Sequence, residues 1–193
     1  GYITFPLVDC VDKIIITNFE GVYEPAEDSW LMVTHLAEIK GSILEIGCGT
    51  GIISVHLASK GAQVTAVDLN PKAVEATRFN STNNGVRVEV LEGDMFAPVG
   101  GRRFGTIVCN PPYLPPSDEK YEDSDLSLAV EGGPTGTEFI SHFLSDASEH
   151  LEENGSIYLI TSSRMKNLET GWKRRIIHQE NFFFERLALE RFF

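Results

Sequence analysis

The chain has 193 residues, of which 42% are hydrophobic, and a formal net charge of −12. This length predicts one domain with enough apolar material for a core, and the absence of a long apolar stretch or a signal-like start predicts a cytoplasmic protein without a membrane segment. The negative charge counts against binding to nucleic acid, because such binding needs a basic surface that neutralises phosphates.

In chain order, the apolar patterns alternate between strand and helix. An extended segment at Lys13–Thr17 precedes a helix at residues 27–39. Strands and helices are then predicted in turn at 42–47, 52–59, 63–67, 71–83, 86–91, 105–109, 136–153 and 156–161, and two last strands at 171–180 and 182–192 form a hairpin. The alternation predicts an α/β fold: an open, mostly parallel sheet with helices on both faces and an antiparallel hairpin at its carboxyl-terminal end.

The first strand of the alternating part runs directly into three glycines, Gly47, Gly49 and Gly51. Glycines at such a turn let the backbone bend tightly and approach a ligand closely. The spacing is not that of the dinucleotide fingerprint, and no Lys-Ser/Thr pair follows, so a bound triphosphate is disfavoured. Glu45 stands just before the glycines, where it would repel a pyrophosphate but suits a cation or an amino group.

Acidic residues follow the next two strands. Asp68 ends the strand at 63–67, where an acid in a βαβ unit can bind ribose hydroxyls; alternatively it caps the helix at 71–83, although Asn70 fits that cap better. Asp94 follows the strand at 86–91, where it either accepts from an exocyclic amine or occupies an ordinary turn. Because the carboxyl ends of parallel strands meet at one edge of a sheet, we expect these acids and the glycines to face one crevice.

The strand at 105–109 ends abruptly in Asn110-Pro111-Pro112-Tyr113. The prolines stop the strand and hold Asn110 in an extended conformation. The Asn110 side chain and the adjacent backbone carbonyls can accept hydrogen bonds from a planar NH2 group, while Tyr113 offers a flat face for stacking. The alternative is an ordinary strand that ends in a proline turn. Together with the crevice, the motif predicts a site that holds a conjugated nitrogen during a reaction.

These motifs resemble those of class I S-adenosylmethionine-dependent methyltransferases, which have a Rossmann-like fold. More narrowly, the chain resembles the HemK-type protein-glutamine methyltransferases, including the short archaeal and eukaryotic branch that acts on release factors. The matching segments follow the order of that family at residues 22–29, 44–51, 67–68, 93–94, 110–113 and 131–133. The Asn-Pro-Pro-Tyr motif is shared with enzymes that methylate adenine and guanine amino groups, whereas the segment 22–29 is more specific.

The resemblance implies S-adenosylmethionine as cofactor and assigns a role to each site residue. Glu45 and Gly47 line the methionine end, Asp68 accepts from the ribose, and Ser29 closes over the cofactor. Asp94 accepts from the adenine amine, with the Met95 backbone beside the ring. The implied cofactor-binding residues are therefore Ser29, Glu45, Gly47, Gly49, Asp68, Asp94, Met95 and Asn110. The implied catalytic residues are Asn110, Pro111 and Tyr113, and the substrate amide is bound by Asn110, Pro111, Pro112 and Tyr113.

The implied reaction is methyl transfer to the side-chain amide nitrogen of a glutamine in a protein, which we expect to be the Gly-Gly-Gln motif of a peptide chain release factor. One alternative is methylation of a DNA or RNA amino group of the adenine N6 type, against which the acidic charge counts. The other is a non-catalytic cofactor-binding subunit, which would not need the Asn-Pro-Pro-Tyr motif. No metal site is expected, because the cysteines and histidines lack metal-ligand spacing.

The resemblance also bears on domains and partners. We expect a single domain over 1–193, with 1–40 as an extension and lid helix and 41–193 as the catalytic core, and without the amino-terminal helical substrate-binding domain of the bacterial members. Short relatives work with a small zinc-binding activator that pairs along a sheet edge. The strand 86–91 is a candidate edge, because its alternation leaves Val86, Val88 and Val90 needing cover, which a local helix could also supply. The loop at 113–135 contains an acidic run that either faces solvent or attracts a basic protein surface.

Overall fold

The computed structural model describes residues 2–4, 13–111, 137–165, 168–182 and 185–193. Its strands are β1 (Tyr2–Thr4), β2 (Ile15–Thr17), β3 (Ser42–Ile46), β4 (Gln63–Asp68), β5 (Val88–Glu92), β6 (Phe104–Cys109), β7 (Leu151–Ser162), β8 (Arg174–Phe182) and β9 (Glu185–Phe192). Its helices are α1 (Glu27–Leu36), α2 (Ile52–Ser59), α3 (Pro71–Asn83) and α4 (Glu138–Ala147).

Seven strands form one sheet in the order β5-β4-β3-β6-β7-β9-β8. The first five in this order run parallel, and β9 is antiparallel to both β7 and β8. The fold class predicted from the sequence is therefore confirmed, including the late hairpin. β1 and β2 form a separate antiparallel pair.

The strand register sets the position of the site. Ile46 at the end of β3 lies opposite Val67 of β4 on one side and Cys109 of β6 on the other. The carboxyl ends of these three strands are therefore level. Because β4 lies on one side of β3 and β6 on the other, the chain reverses its direction of strand addition here, and open parallel sheets bind ligands at such a point.

Apolar side chains are buried on both faces of the sheet. Successive residues of a strand point to opposite faces, so Ile43 packs with helices α1 and α2 while Leu44 packs with α4. The α1 side chains Leu31 and Met32 lie in the first cluster, and Phe143 of α4 lies fully buried in the second. No helix in the described part of the chain is both long and apolar enough to cross a membrane.

The largest difference from the prediction lies between α4 and β7. We predicted a helix over 136–153 and a strand over 156–161, but α4 ends at Ala147 and β7 already begins at Leu151. Leu151 pairs with Phe104 in the sheet, and the Arg103 guanidinium donates to the Leu151 carbonyl at 2.9 Å. The helical periodicity continued past Ala147 in the sequence, but pairing with a strand distant in sequence determined the conformation.

Smaller corrections concern the ends of other elements. Helix α1 stops at Leu36 instead of residue 39, and the amide of Ile39 donates to the Leu36 carbonyl in a closing turn. The hairpin strands predicted at 171–180 and 182–192 are Arg174–Phe182 and Glu185–Phe192. The strand predicted at 86–91 begins at Val88, where the pairing with β4 starts.

Strand β5 lies at one edge of the sheet, as predicted for the strand 86–91. Its apolar side chains are covered from within the chain: Val90 is buried with Val74 of α3, and Val88 packs against the same cluster. Of the two alternatives, a local helix thus supplies the cover. The backbone of β5 has a strand neighbour on one side only within the described sheet.

Candidate active site

A cavity of about 370 Å³ opens at the carboxyl ends of β3, β4, β5 and β6. The predicted site residues that line it are Ser29, Glu45, Gly47, Gly49, Asp68, Asp94, Met95, Asn110 and Pro111. The structure therefore brings together every predicted site residue that it describes. Pro112 and Tyr113 lie outside the described residues.

The glycine-rich turn joins β3 to α2 along the floor of this pocket. Gly47 and Gly51 have φ angles of 78° and 85°, in the left-handed region that favours glycine. The Gly47 amide donates to the Val67 carbonyl at 2.8 Å, which ties the turn to the end of β4. A Cβ on Gly47 would meet no atom within 4 Å, whereas one on Gly51 would lie 2.9 Å from the Thr77 side chain. Gly47 thus borders open pocket space, and Gly51 allows α3 to pack closely.

Glu45 lies at the end of β3 with 1% of its surface exposed. The Ser54 hydroxyl donates to its Oε1 at 2.6 Å. Burial raises the pKa of Glu45 to about 8, against the opposing effect of the Ser54 hydrogen bond. A positive charge in the pocket would favour the ionised form of this carboxyl, so the position suits an ammonium group and disfavours an anion.

Asp68 is held at the end of β4 by backbone amides. Its Oδ2 accepts from the Gly49 amide at 3.0 Å, and its Oδ1 accepts from the Asn70 amide at 2.9 Å. Burial raises the pKa of Asp68, and these hydrogen bonds oppose the rise. The Asn70 side chain accepts from the Lys72 amide and caps α3, as predicted. Asp68 is thus not the cap of α3, and its carboxylate is oriented along the glycine-rich turn.

The wall beyond β5 contains a strained residue. Met95 has a φ of 51°, a conformation that costs a side-chain-bearing residue about 1–3 kcal/mol. Two residues earlier, a Cβ on Gly93 would collide with the Pro98 ring, so only glycine allows the chain to turn this closely here. The turn places Asp94 and Met95 against the pocket. Backbone strain of this kind concentrates at ligand sites.

Asn110 lies at the end of β6 and contacts a buried acid. Its Nδ2 donates to Asp28 Oδ2 at 2.9 Å, and Asp28 is only 2% exposed. The Oδ1 of Asn110 is buried without a hydrogen-bond partner among the described residues. A buried acceptor without a donor costs about 1–3 kcal/mol, so this oxygen is a natural contact for an N–H of a ligand.

Sequence reasoning missed two polar residues of the pocket. Asp28 and Tyr23 both line it, and the Tyr23 hydroxyl donates to Asp28 Oδ2 at 3.3 Å. Both lie in the segment 22–29, in which the prediction gave a role only to Ser29. An acid in the first turn of a helix is ordinarily explained by its interaction with the helix dipole. The sequence therefore offered no reason to expect a contact between Asp28 and Asn110.

The chain is similar to known methyltransferases. Residues 14–124 match the family model of the methyltransferase small domain. The chain belongs to this methyltransferase family. A relative from Methanocaldococcus jannaschii, provisionally named a protein N5-glutamine methyltransferase, is 41% identical over 151 residues, which cover 77% of this chain and 76% of the relative.

Two further relatives of this methyltransferase differ in how much of their length is matched. The mouse protein named methyltransferase HEMK2 is 34% identical over 155 residues, with 74% of this chain and 72% of the mouse protein covered. The release factor glutamine methyltransferase of Geobacter sulfurreducens is 36% identical over 121 residues, but only 43% of its length is covered. The chain thus spans most of the archaeal and mouse proteins and less than half of the bacterial one.

Solved structures show the same fold. The 16S rRNA methyltransferase RsmC of T. thermophilus, in complex with AdoMet and guanosine, superimposes with a TM-score of 0.71 over 98% of this methyltransferase at 19% identity, although only 50% of the RsmC chain is covered. The methyltransferase SMU.776, solved with SAH, superimposes with a TM-score of 0.64 at 14% identity. The match covers 97% of this chain and 56% of the SMU.776 chain. At these identities the likeness extends to the fold alone.

Proposed function

We propose that this methyltransferase binds S-adenosylmethionine in the pocket and methylates the side-chain amide nitrogen of a glutamine, in the Gly-Gly-Gln motif of a peptide chain release factor. The single observation that carries the proposal is the buried Oδ1 of Asn110, which has no hydrogen-bond partner in the part of the chain that the structure describes. An amide NH2 is a donor that satisfies this oxygen. The names of the archaeal and bacterial relatives support glutamine as the acceptor.

The polar groups of the pocket fit the chemical parts of S-adenosylmethionine. The Glu45 carboxyl suits the ammonium of the methionine end, and Gly47 leaves open space beside it. The oriented carboxylate of Asp68 suits the ribose hydroxyls, and Asp94 with the Met95 backbone suits the adenine. When bound, the cofactor supplies a methyl group that its sulfonium has already made electrophilic.

The difficulty of the reaction lies in the acceptor, because the lone pair of an amide nitrogen is delocalised. The Oδ1 of Asn110 and the backbone carbonyl of Pro111 would each accept one N–H of the glutamine amide. Two fixed acceptors hold the nitrogen in the orientation needed for attack and stabilise its positive charge as that charge develops. No side chain has to remove a proton first, because the N–H becomes acidic on methylation and the proton can leave to water. The stacking role of Tyr113 stays a prediction.

The rival function is methylation of an RNA amino group. It is favoured by a ribosomal RNA small subunit methyltransferase C from Aeromonas hydrophila that is 31% identical over 170 residues, although only 45% of that protein is covered. The net charge of −12 opposes it, because a polyanion would be repelled from this chain. We therefore treat RNA as a competing substrate to be tested.

The test uses radiolabelled S-adenosylmethionine with three acceptors: a release factor, the same factor with the Gly-Gly-Gln glutamine changed to asparagine, and a ribosomal RNA fragment. Each is assayed with and without a small zinc-binding activator. We expect label in the first protein only, located at the glutamine by mass spectrometry. Label in the RNA and none in either protein would overturn the proposal.

A further inference from the structure

The carboxylate of Asp28 is buried in the pocket, and the roles described so far do not use it. It is 2% exposed and lies in the first turn of α1. Four groups donate to it: Asn110 Nδ2 at 2.9 Å, the Ser29 amide at 2.7 Å, the Ser29 hydroxyl at 3.4 Å and the Tyr23 hydroxyl at 3.3 Å. A buried carboxylate surrounded by donors in this way has a fixed position and orientation.

The contact with Asn110 determines which end of that amide faces the pocket. An asparagine side chain presents a donor on one side and an acceptor on the other, and the two ends have nearly the same shape. Asp28 Oδ2 accepts the hydrogen bond from Asn110 Nδ2, so the NH2 end of Asn110 faces Asp28. The Oδ1 of Asn110 then points away from Asp28, and within the described ranges this buried atom has no hydrogen-bond partner.

We propose that Asp28 is a positioning residue that fixes the amide of Asn110 in one orientation. This orientation restricts the methyl acceptor to groups that donate an N–H to Oδ1. The inference rests on the proposed function, in which Oδ1 receives that N–H. The hydrogen bond to a carboxylate also polarises the amide and makes Oδ1 a stronger acceptor. Without Asp28 the amide could turn over and present its NH2 to the substrate, which would repel a second NH2 group.

The packing of helix α1 in the core fixes the position of Asp28. Leu31, Met32 and Leu36 are buried in the cluster that contains Ile53 of α2, so α1 is anchored against the sheet. The anchored helix holds Asp28 beside the end of β6, 82 residues further along the chain. The orientation of the catalytic amide is therefore set by packing of the amino-terminal helix, and not by β6 itself.

The experiment compares Asp28→Ala, Asp28→Asn and Glu27→Gln in steady-state methylation of a Gly-Gly-Gln release factor, with the zinc-binding activator present. Glu27 is the exposed acid next to Asp28 in the same helical turn, so its substitution controls for the helix dipole. We expect kcat to fall about 10- to 100-fold in Asp28→Ala. The loss should be smaller in Asp28→Asn, because its carbonyl oxygen can still accept a hydrogen bond from Asn110 Nδ2. In Glu27→Gln we expect no loss. Cofactor affinity should change less than about 3-fold, because Asp28 positions the amide that binds the methyl acceptor and does not position the cofactor.

One further measurement separates positioning from a structural role. In ¹⁵N-labelled protein, the Nδ2 protons of Asn110 should lose their hydrogen-bonded shift and slow exchange in Asp28→Ala but keep them in Glu27→Gln. Unchanged Asn110 resonances, an undiminished kcat, or a parallel loss of cofactor affinity would each overturn the inference. If the wild-type enzyme fails to methylate glutamine, the proposed function fails, and the resonances still decide the role of Asp28.

Discussion

Within the pocket, the same type of group behaves differently according to its neighbours. Glu45 accepts from the Ser54 hydroxyl, and burial raises its pKa to about 8. The Asp28 carboxylate accepts hydrogen bonds from four groups: Asn110 Nδ2, the Tyr23 hydroxyl, and the amide and hydroxyl of Ser29. The Asp68 carboxylate accepts hydrogen bonds from two backbone amides, those of Gly49 and Asn70. Hydrogen bonds to the charged form lower the pKa of Glu45 and of Asp68, whereas burial raises it, and burial is the larger effect for both.

At this scale the first prediction concerns the acceptor. Asn110→Ala removes the Oδ1 that we assign to the substrate N–H, so turnover should be abolished while cofactor affinity falls much less. The loss is measured as kcat on a release factor, alongside calorimetric titration with S-adenosylmethionine. Near-normal kcat in this variant would contradict the mechanism.

The second prediction follows from the pKa of Glu45, which burial raises to about 8. Below that pH the carboxyl is protonated, and an ammonium group binds the ionised form, so binding must release a proton. Cofactor affinity should therefore rise as the pH increases, by up to about tenfold per unit between roughly pH 5.5 and 7.5. Calorimetry in buffers of different ionisation enthalpy would count the released proton.

Glu45→Gln supplies the matched control for this pH dependence. The amide keeps the volume of the side chain but cannot ionise, so the slope of affinity against pH should disappear and binding should be weaker. A wild-type affinity that stays constant over this range would show that Glu45 does not meet the ammonium.

At the scale of elements, the glycine-rich turn couples the ligand pocket to the packing of helices. Gly51 ends the turn and lies against Thr77 of α3, so the close approach of α2 and α3 depends on the missing side chain. Helix α1 adds a second coupling, because its first turn carries Asp28 while its later turns fill the core. The positions of the functional groups are thus consequences of helix packing on one face of the sheet.

The third prediction compares Gly51→Ala with Gly61→Ala. Both glycines have positive φ angles, 85° and 96°, so both substitutions carry a backbone cost of about 1–2 kcal/mol. Only at Gly51 would the new Cβ collide, at 2.9 Å from Thr77, whereas no atom lies within 4 Å of a Cβ at Gly61. We expect Gly51→Ala to lower the free energy of unfolding by about 1–3 kcal/mol more than its control, measured by urea denaturation. Equal losses in the two variants would contradict this account of the turn.

At the scale of the whole molecule, the two edges of the sheet differ. β5 is covered on one face by α3, and β8 is exposed along most of its length. The partner proposed from the family resemblance is a small zinc-binding activator that pairs with the edge at β5. We propose this pairing because β5 ends the described sheet with one side of its backbone open.

The fourth prediction tests that pairing by hydrogen exchange. In the chain alone, amides on the outer side of β5 should exchange rapidly, and addition of the activator should protect them while methylation of the release factor increases. β8 is the internal control, because it is the other edge of the same sheet and should not change. Protection of β8 in place of β5, or full activity without any activator, would contradict the proposed interface.

The sequence by itself determined the fold class, the glycine-rich turn, the cap of α3 and the strand ends that carry Glu45, Asp68, Asp94 and Asn110. These features are local: glycine at positive φ, proline at a strand end and an alternating apolar pattern each restrict the backbone within a few residues.

Only the tertiary structure decided the end of α4, the cover of β5 and the contact of Asp28 with Asn110. Each of these depends on residues far apart in the chain: Leu151 with Phe104, Val90 with Val74, and Asp28 with Asn110. Local periodicity carries no information on such pairs, because the free energy that selects them comes from packing and hydrogen bonds that exist only once the sheet and its helices have assembled.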